Sequence, residues 1–268
     1  MLRLDPFTGT ICSIMCTKTL KRNHSAAIAM LILFCMLLTF IACGHSPIAA
    51  KRAVIAERTV IIMAAGDSIT AESYPMRLQG LFDQDHKNVH VDNYGQFGFT
   101  SGMYLDYLRT SDVINQINPD FVLLQLGTND VRVDSDHTPT PLFVNHMNSI
   151  IDLFQQHRNP YGRHPLVILS TIPPIVKIAP HYFTEESQLR VTQEINPALF
   201  EIALEQQCPI IDTYELFIRY PDALPEIHPN ELGYQLMADN WYAFLQPLLI
   251  ELPNDSSQFP RLNPASAY

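Results

Sequence analysis

The sequence predicts an α/β protein built on a parallel sheet with helices on both faces. Three observations carry that reading. Several short apolar runs are continuous rather than alternating, as in strands buried on both sides. Segments with helical spacing separate them, which is the pattern of βα units joined by right-handed crossovers. Polar, glycine-containing clusters follow the runs, at the sheet edge where such folds place their sites.

The first strand is expected over residues 59–65 (TVIIMAA), ending at Gly66. A weaker second strand covers residues 89–93. The third covers 121–126 (FVLLQL) and ends at Gly127. The fourth is Leu166–Ser170 (LVILS), closed by Pro173 and Pro174, and a short fifth covers 209–212 (PIID). Phe143, Met147, Ile150, Ile151 and Phe154 fall on one helical face. Residues 185–207 are also helical in pattern, with Pro197 expected to kink the helix or restart it with Asn196 as cap. Leu232, Leu236, Phe244, Leu245 and Leu248 fit a carboxy-terminal helix.

Ahead of this domain, residues 26–43 (AAIAMLILFCMLLTFIAC) form an apolar run with Lys21 and Arg22 just upstream. Its length suits a marginal membrane span or a long signal-peptide core. The positive flank places the amino terminus in the cytoplasm. The run ends Phe40-Ile41-Ala42-Cys43-Gly44, which resembles a bacterial lipobox with Cys43 as the lipid attachment site, although leucine is usual at the Phe40 position. A lipoprotein leader, an uncleaved anchor and a simple secretory signal all remain open. The expected organisation is a leader or anchor over 1–44, a linker over 45–57, one domain over 58–250 and a flexible tail over 251–268. The expected location is outside the cytoplasm, tethered to the membrane or else secreted or periplasmic.

Composition narrows the function classes. The 268 residues carry 17 Lys+Arg against 27 Asp+Glu, a formal net charge of −10. Residues 1–42 hold four bases and one acid, so the remainder carries 13 bases against 26 acids, a net of −13. Nucleic-acid binding needs clustered basic residues and is not expected. Mean hydropathy of +0.03 is inflated by the apolar run. Of five cysteines, Cys12, Cys16, Cys35 and Cys43 lie in or before that run, so Cys208 stands alone in the domain and is expected to be a buried, inert thiol.

Four loops hold the polar clusters: Gly66-Asp67-Ser68-Ile69-Thr70, then Asn93 to Thr100, then Gly127-Thr128-Asn129-Asp130, and finally Ile227-His228-Pro229-Asn230 before the last helix. Each has an ordinary structural reading. Ser68 can be a helix cap, Asn93 and Gly98 turn residues, and His228-Pro229-Asn230 a helix start. Their conjunction points to chemistry. A serine hydroxyl is a poor nucleophile near neutral pH. It needs a base such as His228 and donors, such as backbone N–H groups and the Asn129 amide, to hold an oxyanion.

In these four ordered blocks the sequence resembles the SGNH (GDSL-type) hydrolase family over roughly residues 59–248. Ser68 matches the nucleophile of Gly-Asp-Ser, Gly98 the second-block glycine five residues after Asn93, Asn129 the Gly-x-Asn-Asp asparagine, and His228 the histidine followed by Pro and Asn. The resemblance implies a flavodoxin-like three-layer α/β/α sandwich with five parallel strands, in agreement with the independent strand count. It also implies an acyl-serine mechanism. Ser68 attacks an ester carbonyl, His228 carries the proton, and the oxyanion sits among the Ser68 and Gly98 N–H groups and the Asn129 amide.

One departure concerns the acid. The family has Asp three residues before the histidine, and here that position is Pro225. Glu226, Asp222 and a Ser68–His228 dyad without an acid are the alternatives. A weakened acid would also leave room for a glycan-binding protein with little turnover. Family members cleave acetyl groups from carbohydrates, acyl chains from lipids, and thioesters. Gly-Asp-Ser-Ile-Thr and His-Pro-Asn-Glu-Leu-Gly-Tyr are closest to the carbohydrate acetylesterase-like branch. Phe97, Phe99, Met103 and Tyr104 are candidates for an acyl pocket. The expected substrate is a small-molecule, glycan or lipid ester, and a lipase-type hydrolase and a polysaccharide O-acyltransferase are the alternatives. No cofactor or metal is expected, since the sequence lacks a zinc His-Glu motif, a cysteine cluster and a P-loop.

Overall fold

The computed structural model describes residues 58–176 and 182–250. The apolar segment, Cys43, the linker and the tail lie outside the described residues. Five strands form one sheet: β1 (Val60–Gly66), β2 (Val89–Gly95), β3 (Phe121–Gln125), β4 (Leu166–Ser170) and β5 (Ile210–Ile211). Their spatial order is β2-β1-β3-β4-β5 and every pairing is parallel. The expected strands are all present, with β2 longer by two residues and β5 reduced to two.

The helices, in chain order, are α1 (Ser68–Ala71), α2 (Tyr74–Gln84), α3 (Ser101–Thr110), α4 (Val113–Ile117), α5 (Thr140–Gln156), α6 (Glu185–Arg190), α7 (Asn196–Glu205), α8 (Thr213–Arg219) and α9 (Glu231–Ile250). Strand residues alternate between two apolar layers, as the pleat requires. Met63, Ala65, Val122 and Leu124 pack with α3, α4, α5 and α7. Ile62, Ala64 and Leu123 pack with α2, α8 and α9. The expected face of α5 is fully buried: Phe143, Met147, Ile150, Ile151 and Phe154. Each such side chain contributes about 1.5–3 kcal/mol of burial. No helix among the described residues is long and apolar enough to cross a membrane.

Three expectations need correction. The helical stretch from α6 to α7 does not restart at an Asn196 cap. A π-helical segment, Val191–Ile195, joins the two helices, and Asn196 N–H donates back to the Val191 carbonyl. This wider turn just ahead of Pro197 accommodates a residue with no N–H to give. The Asn196 side chain instead grips Ile172, accepting its N–H at 2.9 Å and donating to its carbonyl at 3.1 Å. On α9 the buried face is Tyr234, Met237, Ala238, Trp241, Leu245 and Leu248, whereas Leu232 is exposed. Tyr104 belongs to the core and donates its hydroxyl to the Tyr94 carbonyl at 3.0 Å. Cys208 is buried, as expected, and burial pushes its thiol up to about 12.

Candidate active site

The register places the site. Gly66 at the end of β1 pairs with Gly95 of β2 on one side and Gln125 of β3 on the other. The loops carrying Ser68, Gly98 and Asn129 therefore leave the sheet side by side, where the strand order reverses. His228 arrives from the segment between a 3₁₀ turn (Pro221–Ala223) and α9.

Ser68 is the first residue of α1, and its neighbour Asp67 is the cap: the Asp67 carboxylate accepts the Ile69 N–H at 3.0 Å. The Ser68 hydroxyl is thus released from capping and lies 2.8 Å from His228 Nε2. Ser68 is half-buried, and as the first helical residue its N–H has no intrahelical acceptor. Asp67 itself is fully buried. Burial raises its carboxyl to about 7, against the lowering effect of the Ile69 N–H, and the nearby Asp130 charge adds to the rise. The Thr128 hydroxyl and N–H face the carboxyl and act against the rise.

Asn93 ties β2 to the end of α1. Its amide donates to the Ala71 carbonyl at 3.0 Å and its oxygen accepts the Gly95 N–H at 3.0 Å. Gly98 adopts φ +75, a conformation that favours glycine. Asn129 is buried, opens a short 3₁₀ turn (Asn129–Val131), and donates its amide to the Phe99 carbonyl at 2.9 Å. Asn230 fixes the histidine loop from below, accepting the Gly233 N–H at 3.0 Å and donating to the Asp222 carbonyl at 2.8 Å. It is the cap of α9, two residues from His228.

No acid among the described residues is brought to the histidine. Among the described residues, no carboxylate oxygen lies within 4.0 Å of a His228 ring nitrogen, and the ring's hydrogen bond is the one to Ser68. Glu226 and Asp222 are both exposed. Phe97 and Met103 are exposed on the loop and helix that flank Gly98, while Phe99 is partly buried against Tyr107. Among the described residues no group of three or more His, Cys, Asp or Glu is placed to hold a metal ion.

Sequence reasoning overlooked three residues. Asp67 was visible as the middle of Gly-Asp-Ser, yet its capping role depends on backbone angles. Asp130 and Ser101 meet across two loops 29 residues apart in the chain, a contact that spacing alone does not reveal.

The model of the GDSL-like Lipase/Acylhydrolase family matches residues 64–236, which spans β1 to α9. No curated protein matches the chain in sequence. Solved structures share the fold at low identity. A lipase/acylhydrolase from Enterococcus faecalis has TM-score 0.58 and 23% identity over 71% of this chain and 97% of that one. A carbohydrate acetylesterase family member from Sinorhizobium meliloti has TM-score 0.59 and 17% identity over 71% and 99%. The acetylxylan esterase Axe2 from Geobacillus stearothermophilus has TM-score 0.56 and 20% identity over 74% and 97%. With the family model spanning well over half its length, the chain belongs to the GDSL-like lipase/acylhydrolase family and is a carboxylic-ester hydrolase.

Proposed function

We propose that the protein is an exported serine esterase, tethered at the membrane, that removes short acyl groups, acetyl above all, from carbohydrate esters. The observation that carries the catalytic part is the 2.8 Å contact between Ser68 Oγ and His228 Nε2 at the strand ends that also bear Gly98 and Asn129.

In this reading His228 Nε2 accepts the Ser68 proton as Oγ attacks the ester carbon. The carbonyl oxygen gains charge and is held by the N–H groups of Ser68 and Gly98 and by the Asn129 amide hydrogen not used on Phe99. The tetrahedral intermediate collapses, His228 returns the proton to the leaving alcohol, and an acyl-serine remains. Water, deprotonated by His228, repeats the sequence and frees the acid. With Nε2 accepting from Ser68, the neutral ring carries its proton on Nδ1. The pair works as a dyad.

Two features support a short acyl group on a glycan. The chain passes from Ser68 to α2 within a few residues, leaving no length for a lid there. Two of the structural neighbours described above are carbohydrate acetylesterases by name. The exposed Phe97 and Met103 favour a second reading, in which longer acyl chains lie along that rim. Export and tethering rest on the apolar run and Cys43.

The test is a series of p-nitrophenyl esters from acetyl to palmitoyl with the full chain and with Ser68→Ala. Activity confined to the short esters and absent from Ser68→Ala is expected. Activity rising toward palmitoyl moves the assignment to a lipase-type hydrolase, and activity retained in Ser68→Ala removes Ser68 from the mechanism. Mass spectrometry of the membrane-bound protein for a lipidated Cys43 tests the anchor.

A further inference from the structure

The two loops that supply Gly98 and Asn129 come from β2 and β3, which are not neighbours; β1 lies between them. The two ladders through β1 fix the strand ends, but no ladder reaches the loop residues beyond them. An oxyanion pocket nevertheless needs both donors on one oxygen, and a misplacement of about 1 Å can cost on the order of 10² in rate. Contacts beyond the sheet must set the spacing, and the Asn129 amide on the Phe99 carbonyl is one of them.

Asp130, the residue after Asn129, is fully buried. Its carboxylate takes three hydrogen bonds from Ser101, three residues after Gly98. The Ser101 N–H donates to its two oxygens at 2.9 and 3.2 Å, and the Ser101 hydroxyl donates at 2.6 Å. Ser101 is the first residue of α3, so its N–H has no acceptor within that helix. The carboxylate thus caps a helix belonging to the other loop. Behind Ser101 stands His146 of α5, with Nδ1 at 3.0 Å from the hydroxyl. The hydroxyl has one proton, given to Asp130 at the shorter contact, so His146 Nδ1 donates to Ser101. The main chain of Asp130 is held as well: its carbonyl accepts the Thr138 N–H at 3.1 Å and the Arg190 guanidinium at 2.7 Å.

This is a second grouping of serine, histidine and aspartate, and its order excludes nucleophilic use. The serine stands in the middle, buried, with its hydroxyl donating to the carboxylate and His146 facing it as a donor rather than as a base. Such a fully bonded buried charge is rigid, and breaking one side leaves a charge without its partner.

We propose that Asp130 is a positioning residue that holds the Gly98 loop at its working distance from Asn129, acting through Ser101 with His146 behind it. The proposal rests on the oxyanion pocket assigned above, and it adds the device that keeps the two halves of that pocket in register.

The experiment compares wild type, Ser68→Ala, Asp130→Asn, Asp130→Ala and Ser101→Ala in the full chain. Active sites are titrated with a fluorophosphonate, and kcat, KM and inhibition by phenylboronic acid are measured per titrated site. Labelling and turnover in wild type but not in Ser68→Ala establish the pocket itself; their absence overturns both readings. Given that control, Asp130→Asn is expected to lower kcat per labelled site by roughly 10–100-fold with KM within about threefold, and Asp130→Ala by more. Boronate inhibition, which needs a correctly placed oxyanion pocket, weakens in step. A merely structural role would lower the titrated fraction and the melting temperature while leaving kcat per site and boronate affinity unchanged, and that result overturns the proposal. Should the Asp130 variants fail to fold, Ser101→Ala decides, since it keeps the N–H bonds and loses the hydroxyl. A fall of roughly 3–30-fold in kcat per site supports the proposal, and wild-type values overturn it.

Discussion

The side-chain amide of Asn129 donates to the carbonyl of Phe99 at 2.9 Å, across the gap between the β3 and β2 loops. That bond uses one amide hydrogen and fixes the plane of the group, so the second hydrogen points in a set direction before any substrate arrives. A donor organised in advance pays no reorganisation during the reaction. Asn129→Ala is therefore expected to lower kcat by about 10²–10³ while KM changes little, the signature of an interaction made in the transition state. Steady-state kinetics on p-nitrophenyl acetate check this, and an equal rise in KM with kcat intact would place Asn129 in substrate binding instead.

The acid is the next question. Glu226 is exposed and His228 has no carboxylate within 4.0 Å among the described residues. A carboxylate that orients the histidine of a serine protease is worth about 10⁴ in turnover. Glu226→Gln is expected to stay within about threefold of wild-type kcat/KM, and Asp222→Asn likewise. A loss of 10² or more in either variant would show that the loop closes on substrate and completes a triad.

How much of this was legible from the sequence follows from what kind of contact each feature needs. The strands were readable because continuous apolar runs such as FVLLQL have few other uses in a chain of this length. Ser68 and His228 were readable because the four blocks occur in order, although the pair meets only across 160 residues of chain. The face of α9 was not readable, since leucines and aromatics surround that helix and only packing against α2 selects Trp241 over Leu232. Pro197 ordinarily kinks a helix or marks a helix start, so local sequence leaves both open and offers Asn196 as a cap only for the second. The π-helical turn that absorbs Pro197 depends on the whole α6–α7 path. The contact of Asp130 with Ser101 and the place of Glu226 relative to His228 are tertiary geometry, which no local spacing encodes.

Asp67 gives a prediction about stability and pH. Its folded carboxyl is raised to about 7 from an ordinary value of 3.8, chiefly by burial. A group whose folded pKa is raised binds its proton more tightly in the native state. Its contribution is full below the unfolded value and is lost as pH rises toward 7, at about 1.4 kcal/mol per unit and up to about 4 kcal/mol in all. Asp67→Asn keeps an oxygen for the Ile69 N–H and removes the titration. The melting temperature of the variant minus that of wild type should climb between pH 4 and pH 7 by up to about 8–16 °C, at ~2–4 °C per kcal/mol, and then level off. A difference that is flat across that range would mean that Asp67 is ionised in the folded protein throughout.

The last prediction concerns how α1 comes to lie over the strand ends at all. Gly66 and Gly95 are register partners at the ends of β1 and β2. A methyl group on Gly95 would sit 2.1 Å from Ala71 N, 2.5 Å from Ala71 Cα and 2.6 Å from the Thr70 carbonyl carbon. All three neighbours are backbone atoms of α1 or its immediate extension, so no side chain can swing away to make room. The helix must move by on the order of 1 Å, and Ser68 at its start moves with it. Gly95→Ala is thus expected to do two things at once. It should lower stability by roughly 1–3 kcal/mol, as overpacking does. It should also lower kcat per titrated active site by about 10²-fold in the fraction that remains folded. Melting curves and fluorophosphonate-titrated kinetics separate these effects. Wild-type turnover per site in a destabilised variant would show that α1 shifts without carrying the nucleophile away from His228.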